Sequence, residues 1–231
     1  MDRRRSREKT AKASPTEPSS QISASGACII QLLCGLGLAA AFFLSENVYS
    51  VDLVTDPSHT LFLIWITELP ILILLYSHYR QNREQCTYLR AVGRGLLAMP
   101  VGALVSYLGA VALGAPVTIQ YLKKNIHWSF MMSLFTTVPA SCVFGSSFAD
   151  WRRIFVHTKP NGTLDYLICL PAHGAIIGAW FGAWPMPLDW ERPWQEWPIC
   201  VSYGAITGYL VAVVASCGVA IAHRSKHVKG E

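Results

Sequence analysis

The sequence predicts an all-α polytopic membrane helix bundle of about six transmembrane helices with both termini cytosolic, and three observations predict it. Of its 231 residues, 52% are hydrophobic and only 14% charged, against the quarter usual for soluble domains. The apolar residues gather into blocks of about 20, the length that crosses a bilayer at about 1.5 Å per residue. Lysine and arginine, finally, fall almost wholly on alternate connections. Each block must be a helix, because lipid offers no partner for backbone polar groups and the blocks lack the polar and apolar alternation of barrel strands.

The first element is a basic tail, residues 1–25, which holds Arg3, Arg4, Arg5, Arg7, Lys9 and Lys12 among serines and prolines. It has too little apolar surface to fold and is expected to be disordered. Its polar lead and the apolar run after it are both too long for a signal peptide. Asp2, Glu8, Glu17 and two prolines also spoil the basic amphipathic helix of a mitochondrial presequence. The membrane domain, residues 26–222, follows with spans at about 26–44, 60–79, 95–113, 128–149, 166–184 and 198–222. A second basic tail, 223–231, closes the chain.

Sixteen of the 19 lysines and arginines lie in the two tails and in the connections after spans 2 and 4. Only Lys123, Lys124 and Arg192 lie on the other side. The positive-inside rule therefore places the tails and those two connections in the cytosol, and residues 45–59, 114–127 and 185–197 in a lumen. None of the luminal connections is long enough for a folded catalytic domain. The sequon Asn161-Gly162-Thr163 falls on the cytosolic side of this topology and is expected to stay silent.

Inside the membrane, span 5 carries Gly174, Gly178 and Gly182 on one face, and span 6 answers with Gly204, Gly208, Ala212 and Ser216 at the same four-residue interval. Such faces let helix backbones approach closely. They serve either to pack the two spans together or to dock a partner helix. Span 3 has Gly95, Gly102 and Gly109 at seven-residue spacing, read as core packing. Two ionisable groups fall at depth, Glu68 about 12 Å from the lumen and His173 about 10 Å from the cytosol. They could form a polar pair on an ion path, or Glu68 could be a neutral acid hydrogen-bonded to a neighbouring helix. The seven cysteines show no Cys-x-x-Cys spacing and read as small apolar fillers.

No Ser-His-Asp set or phosphate loop is present, and no catalytic residue, metal site or cofactor is predicted. The basic runs lack the aromatic interleaving of a nucleic-acid surface. The informative stretch is the connection between spans 5 and 6. From Pro185 to Pro198 it packs four prolines, three tryptophans and four charges, with Trp184 just before it. It is too charged for lipid, too rich in proline for a helix, and carries the ring favoured at interfaces, so it reads as a tight hairpin at headgroup level. Asp189, Trp190, Glu191, Arg192, Trp194 and Trp197 are the candidate interface or headgroup contacts. Trp190 or Trp194 with Asp189 or Glu191 could hold an ammonium headgroup. Alternatively the rings anchor the belt while Arg192 pairs with Asp189 or Glu196.

The run Gly178-Ala179-Trp180-Phe181-Gly182-Ala183, then Pro185, Pro187-Leu188-Asp189-Trp190-Glu191-Arg192-Pro193-Trp194-Gln195 and Trp197-Pro198-Ile199, resembles the signature of the phosphatidylinositol-glycan (GPI) anchor biosynthesis class F proteins. Phe135-Thr136-Thr137-Val138-Pro139, Gly114-Ala115-Pro116, Gly204-Ala205 and Gly208-Tyr209 are also similar to that family, so the resemblance covers mainly residues 113–210. It implies a multi-pass endoplasmic reticulum protein that is not itself an enzyme. Its implied role is to stabilise the class O and class G ethanolamine-phosphate transferases that add phosphoethanolamine to the GPI mannose core. The alternative is a membrane enzyme or lipid carrier acting directly on phosphatidylethanolamine or the GPI glycolipid. No family role attaches to Glu68, His173 or the N-terminal tail.

Overall fold

A computed structural model describes residues 22–229 apart from Asn82, with side chains described through residue 222. The chain is helical throughout its long elements: α1 (Ala24–Phe43), α2 (Pro57–His78), α3 (Tyr88–Ala112), α4 (Ile119–Phe144), a single turn α5 (Phe148–Trp151), α6 (Thr163–Ala183) and α7 (Ile199–Lys229). One π-helical turn, Leu44–Val48, extends α1, and another, Arg152–Val156, extends α5. Five of these segments, Ala24–Val48, Pro57–His78, Tyr88–Ala112, Thr163–Ala183 and Ile199–Ala222, are long and apolar enough to cross a membrane.

The helices begin where short polar side chains can satisfy the first free N–H groups. Ser23 accepts from the Gly26 N–H at 3.1 Å, Asp56 from His59 at 3.0 Å with Pro57 opening the helix, and Thr87 from Arg90 at 3.3 Å. The helix of span 1 accordingly starts at Ala24, inside the stretch assigned to the tail; residues 1–21 lie outside the described residues. In the α1–α2 connection the Thr55 backbone N–H and hydroxyl, with the Val54 N–H, hold the Asp52 carboxyl below the usual carboxylate range. At the other end α7 runs on to Lys229, so residues 223–229 of the segment assigned to the second tail are helical.

The fourth predicted span, 128–149, differs most from the helix observed. α4 starts nine residues earlier and stops at Gly145, whose φ of 59° suits glycine and ends the helix. It carries Ser129, Ser133, Thr136 and Thr137, and fifteen of its 26 residues are buried. Enclosed by α2, α3 and α6, it meets helices where the other long elements meet lipid, so it does not need an apolar surface all round. Phe135 of α4 stacks on Tyr209 of α7 at 4.2 Å, which joins the two halves of the bundle.

Proline shapes the interior. Pro171 in α6 has no N–H, so the Leu167 carbonyl one turn earlier loses its helical donor. Two side chains replace it: Tyr76 Oη of α2 donates at 3.1 Å and Gln31 Nε2 of α1 at 3.2 Å. Gln31 also donates to Ser216 Oγ of α7 at 3.0 Å. Three helices thus meet at one backbone atom and Gln31 ties in the fourth, α7, in an interior where a lost hydrogen bond has no water to replace it.

The glycine faces of α6 and α7 meet. A Cβ built at Gly178 would land on the Gly204 carbonyl, one at Gly182 on the Cys200 carbonyl, and one at Gly174 would lie 2.5 Å from both the Gly208 carbonyl oxygen and the Ala212 Cβ. The same holds in reverse for Gly204 and Gly208. Backbones this close gain dispersion contacts that larger residues would prevent. On α3, Gly95 and Gly102 are also closely approached, by Cys142 and by Ser133 and Thr137 of α4, whereas Gly109 faces open space.

Candidate functional site: the hairpin between α6 and α7

The hairpin is built around a side chain with no charge. Gln195, in a short 3-10 turn Pro193–Gln195, is 8% exposed and uses both ends of its amide. Its Nε2 donates to the Pro185 carbonyl at 2.6 Å and the Leu188 carbonyl at 2.8 Å, while its Oε1 accepts from the Arg192 N–H at 2.8 Å. A loop crowded with proline has few N–H groups for internal hydrogen bonds, so one amide side chain closes it.

A second set of bonds fastens the hairpin to the start of α4. Trp197 is buried, and its Nε1 donates to Asn125 Oδ1 at 2.5 Å while its ring meets Trp128 at 5.1 Å. Asn125 in turn donates to the Pro116 carbonyl at 2.7 Å. Lys124 and Glu196 form an ion pair at 2.7 Å, the carboxylate half exposed. The α3–α4 connection and the α6–α7 hairpin therefore form one cap over one end of the bundle.

Above that base the tip is free. Asp189, Trp190, Glu191 and Arg192 are all exposed, with Trp190 at 57%, and Glu191 has a φ of 50° that turns the chain at the apex. Trp194, half-buried, meets Trp190 edge-on at 6.0 Å. The expected pairing of Arg192 with Asp189 or Glu196 does not form: Lys124 takes Glu196, and Asp189 and Arg192 make no ion pair among the described residues. Trp197 is likewise displaced from the list of surface contacts, because its bond to Asn125 draws it under the cap.

Glu68 and His173 do not pair. Glu68 is fully buried, its carboxyl facing Gly37 of α1, where a Cβ would lie 2.7 Å from Oε1; neither oxygen has a hydrogen-bond partner. His173 places Nδ1 2.8 Å from its own helix's Cys169 carbonyl and stacks on Phe155 at 6.1 Å. Depth along the membrane brought them within reach of each other, but depth does not fix which side of a helix a residue occupies. No group of three or more His, Cys, Asp or Glu among the described residues could hold a metal ion.

Several organising residues carry a weaker sequence signal. Gln31 stands alone in an apolar run, which marks it once polar as well as ionisable residues are counted. Asn125 sits in a polar stretch that reads as loop, and only its contacts reveal its place. The fourth connection is held by Arg153, which pairs with Asp150 at 2.7 Å and with Asp165, whose Oδ2 also accepts the Asn161 N–H at 2.9 Å.

Comparison with known proteins bears on the same residues. The family described as "GPI biosynthesis protein family Pig-F" matches residues 37–217. The human "GPI ethanolamine phosphate transferase, stabilizing subunit" is 38% identical over 106 residues, 46% of this chain and 48% of that protein. The Schizosaccharomyces pombe "PIGF/3-ketodihydrosphingosine reductase fusion protein" is 33% identical over 189 residues, 80% of this chain and 36% of that one. The Yarrowia lipolytica "Glycosylphosphatidylinositol anchor biosynthesis protein 11" is 27% identical over 180 residues, 72% of this chain and 74% of that one. The match to the mammalian stabilizing subunits spans about half their length. No solved structure matches the chain.

Proposed function

We propose a function on one premise, that this chain belongs to the GPI biosynthesis protein family Pig-F. It is a non-catalytic accessory subunit that stabilises a GPI ethanolamine phosphate transferase, so that phosphoethanolamine reaches the GPI mannose core. The observation that carries this reading is the similarity to the human and mouse stabilizing subunits over the part of the chain they share. The geometry is compatible: a braced cap presents rings and both charge signs at a tip that the fold itself leaves unpaired. The finer reading is that the partners are the class O and class G transferases, that the chain resides in the endoplasmic reticulum membrane, and that both termini are cytosolic with the hairpin luminal.

In this reading Asp189, Trp190, Glu191, Arg192 and Trp194 contact the partner or a lipid headgroup, while Gly174, Gly178, Gly182, Gly204 and Gly208 hold the hairpin's two helices together. Charge placement supports the orientation, since sixteen of 19 lysines and arginines fall on one side. The test is the amount of assembled transferase in cells lacking this chain. We expect transferase subunits to fall and to recover on re-expression. Normal, assembled subunits with transfer abolished would overturn the accessory reading. Glycan on Asn161 in microsomes would invert the orientation.

A further inference from the structure

An apolar cleft of about 740 Å³ lies between α3 and α6, with α4 as its floor. α3 rests on α4 and α2 while α6 rests on α7, α4 and α1, so α4, the floor, is the one long helix that carries both walls. Along α3 the cleft runs from Gly102 to Leu113, about 17 Å at helical rise. That is close to one leaflet of a hydrocarbon core about 30 Å thick. Its inner end is lined by Trp151 and Phe155, which stack on each other at 5.2 Å, Phe155 also packing on His173 halfway along α6. A transmembrane helix, which must run the full thickness, would meet this aromatic pair half way. A lipid of the leaflet on the hairpin side would not.

We infer that the cleft binds a glycerophospholipid of that leaflet, one acyl chain lying between α3 and α6 and the ester region at Trp128. Trp128 lines the cleft at the cap end, is 6% exposed, and its indole N–H has no hydrogen-bond partner. A buried donor without an acceptor is costly, and a lipid ester carbonyl is an acceptor with no donor of its own. Trp128 lies directly under the cap, its ring 5.1 Å from that of Trp197. Beside it, Trp197 lines the same cleft and is held by Asn125, next to the Lys124–Glu196 ion pair. A cation and an anion side by side in the cap, each one residue from Asn125 or Trp197, complement a zwitterionic headgroup. Lipid binding here stands apart from the accessory role: either can fail while the other holds.

The full chain reconstituted in vesicles of phosphatidylcholine and phosphatidylethanolamine, doped with a phospholipid bearing a diazirine on its acyl chain, tests this by mapping the labelled residues. Label should concentrate on cleft residues such as Val105 and Trp180, well above Leu97, an exposed α3 residue that does not line the cleft. Gly109→Phe puts a ring into open space, since a Cβ there meets nothing within 4 Å, and should bring cleft labelling down to the Leu97 level. Trp128→Phe keeps a ring without the N–H and should lower lipid retained through detergent washing roughly 2- to 10-fold. Each variant is checked for a single sharp elution peak, and Val105→Trp, at an exposed wall position, carries the blocking test if Gly109→Phe does not fold. Equal labelling of cleft and Leu97 overturns the proposal. So does cross-linking of cleft residues to another protein in native membranes with lipid label at the Leu97 level, which assigns the cleft to a partner helix.

Discussion

Adding one methyl group at Gly178 should separate α6 from α7. A Cβ there would overlap the Gly204 carbonyl oxygen and lie 3.0 Å from the Gly204 carbonyl carbon and the Gly208 Cα. All three are backbone atoms, so no side chain can swing aside and the helices themselves must move. Moving them also loosens the contacts at Gly174 and Gly182, one turn to either side. Overpacking of this kind costs about 1–3 kcal/mol. Against it stands the gain of about 0.5–1 kcal/mol for alanine over glycine inside a helix. The net expectation for Gly178→Ala is a loss of about 1 kcal/mol. Gly35→Ala in α1 is the matched control: a Cβ there meets nothing within 4 Å, so only the helical gain remains. Denaturant titration of the purified full chain in mixed micelles should separate the two variants by roughly 2 kcal/mol, about thirtyfold in the unfolding equilibrium. If Gly178→Ala is as stable as Gly35→Ala, the close packing of α6 on α7 is not what holds the hairpin's two legs together.

Three further outcomes follow from the interior and the cap. Tyr76→Phe and Gln31→Leu should each cost about 0.5–1.5 kcal/mol, and the double variant more than their sum, because the Leu167 carbonyl freed by Pro171 then has no donor; a double-mutant cycle in micelles measures this. Trp197→Phe should keep the ring contact with Trp128 but release Asn125, costing about 1–2 kcal/mol and raising amide exchange across residues 185–198. Glu68→Met should leave stability unchanged or raise it by about 1–2 kcal/mol, since both carboxyl oxygens are buried without partners; a large loss would reveal a bond that the geometry does not contain.

The bundle was legible where the sequence carries one-dimensional information. Apolar runs marked the long helices to within a few residues at most ends, and the four-residue glycine interval on both spans 5 and 6 marked the faces that meet. Polar helical residues escaped the same reading: α4 begins nine residues before its predicted span, because Lys123, Lys124 and Asn125 read as loop while their backbone stays helical. Azimuth escaped too, which is why Glu68 and His173 came within reach in depth and yet face different neighbours. In the hairpin, charge and ring content drew attention to the tip, whereas the residues that fix its shape are the neutral amides Gln195 and Asn125. An amide's role depends on which carbonyls fold brings within reach, and that is not written in composition or spacing.

The central claim, that this chain acts by holding a transferase rather than by chemistry of its own, is tested most directly by a pull-down. The tagged full chain would be purified from membranes in mild detergent and its eluate probed for ethanolamine-phosphate transferase subunits. The account predicts that a transferase co-elutes and that its cellular amount falls when the chain is absent. Elution of the chain without any transferase, in cells where the transferases are present at full amount whether or not the chain is expressed, would contradict it.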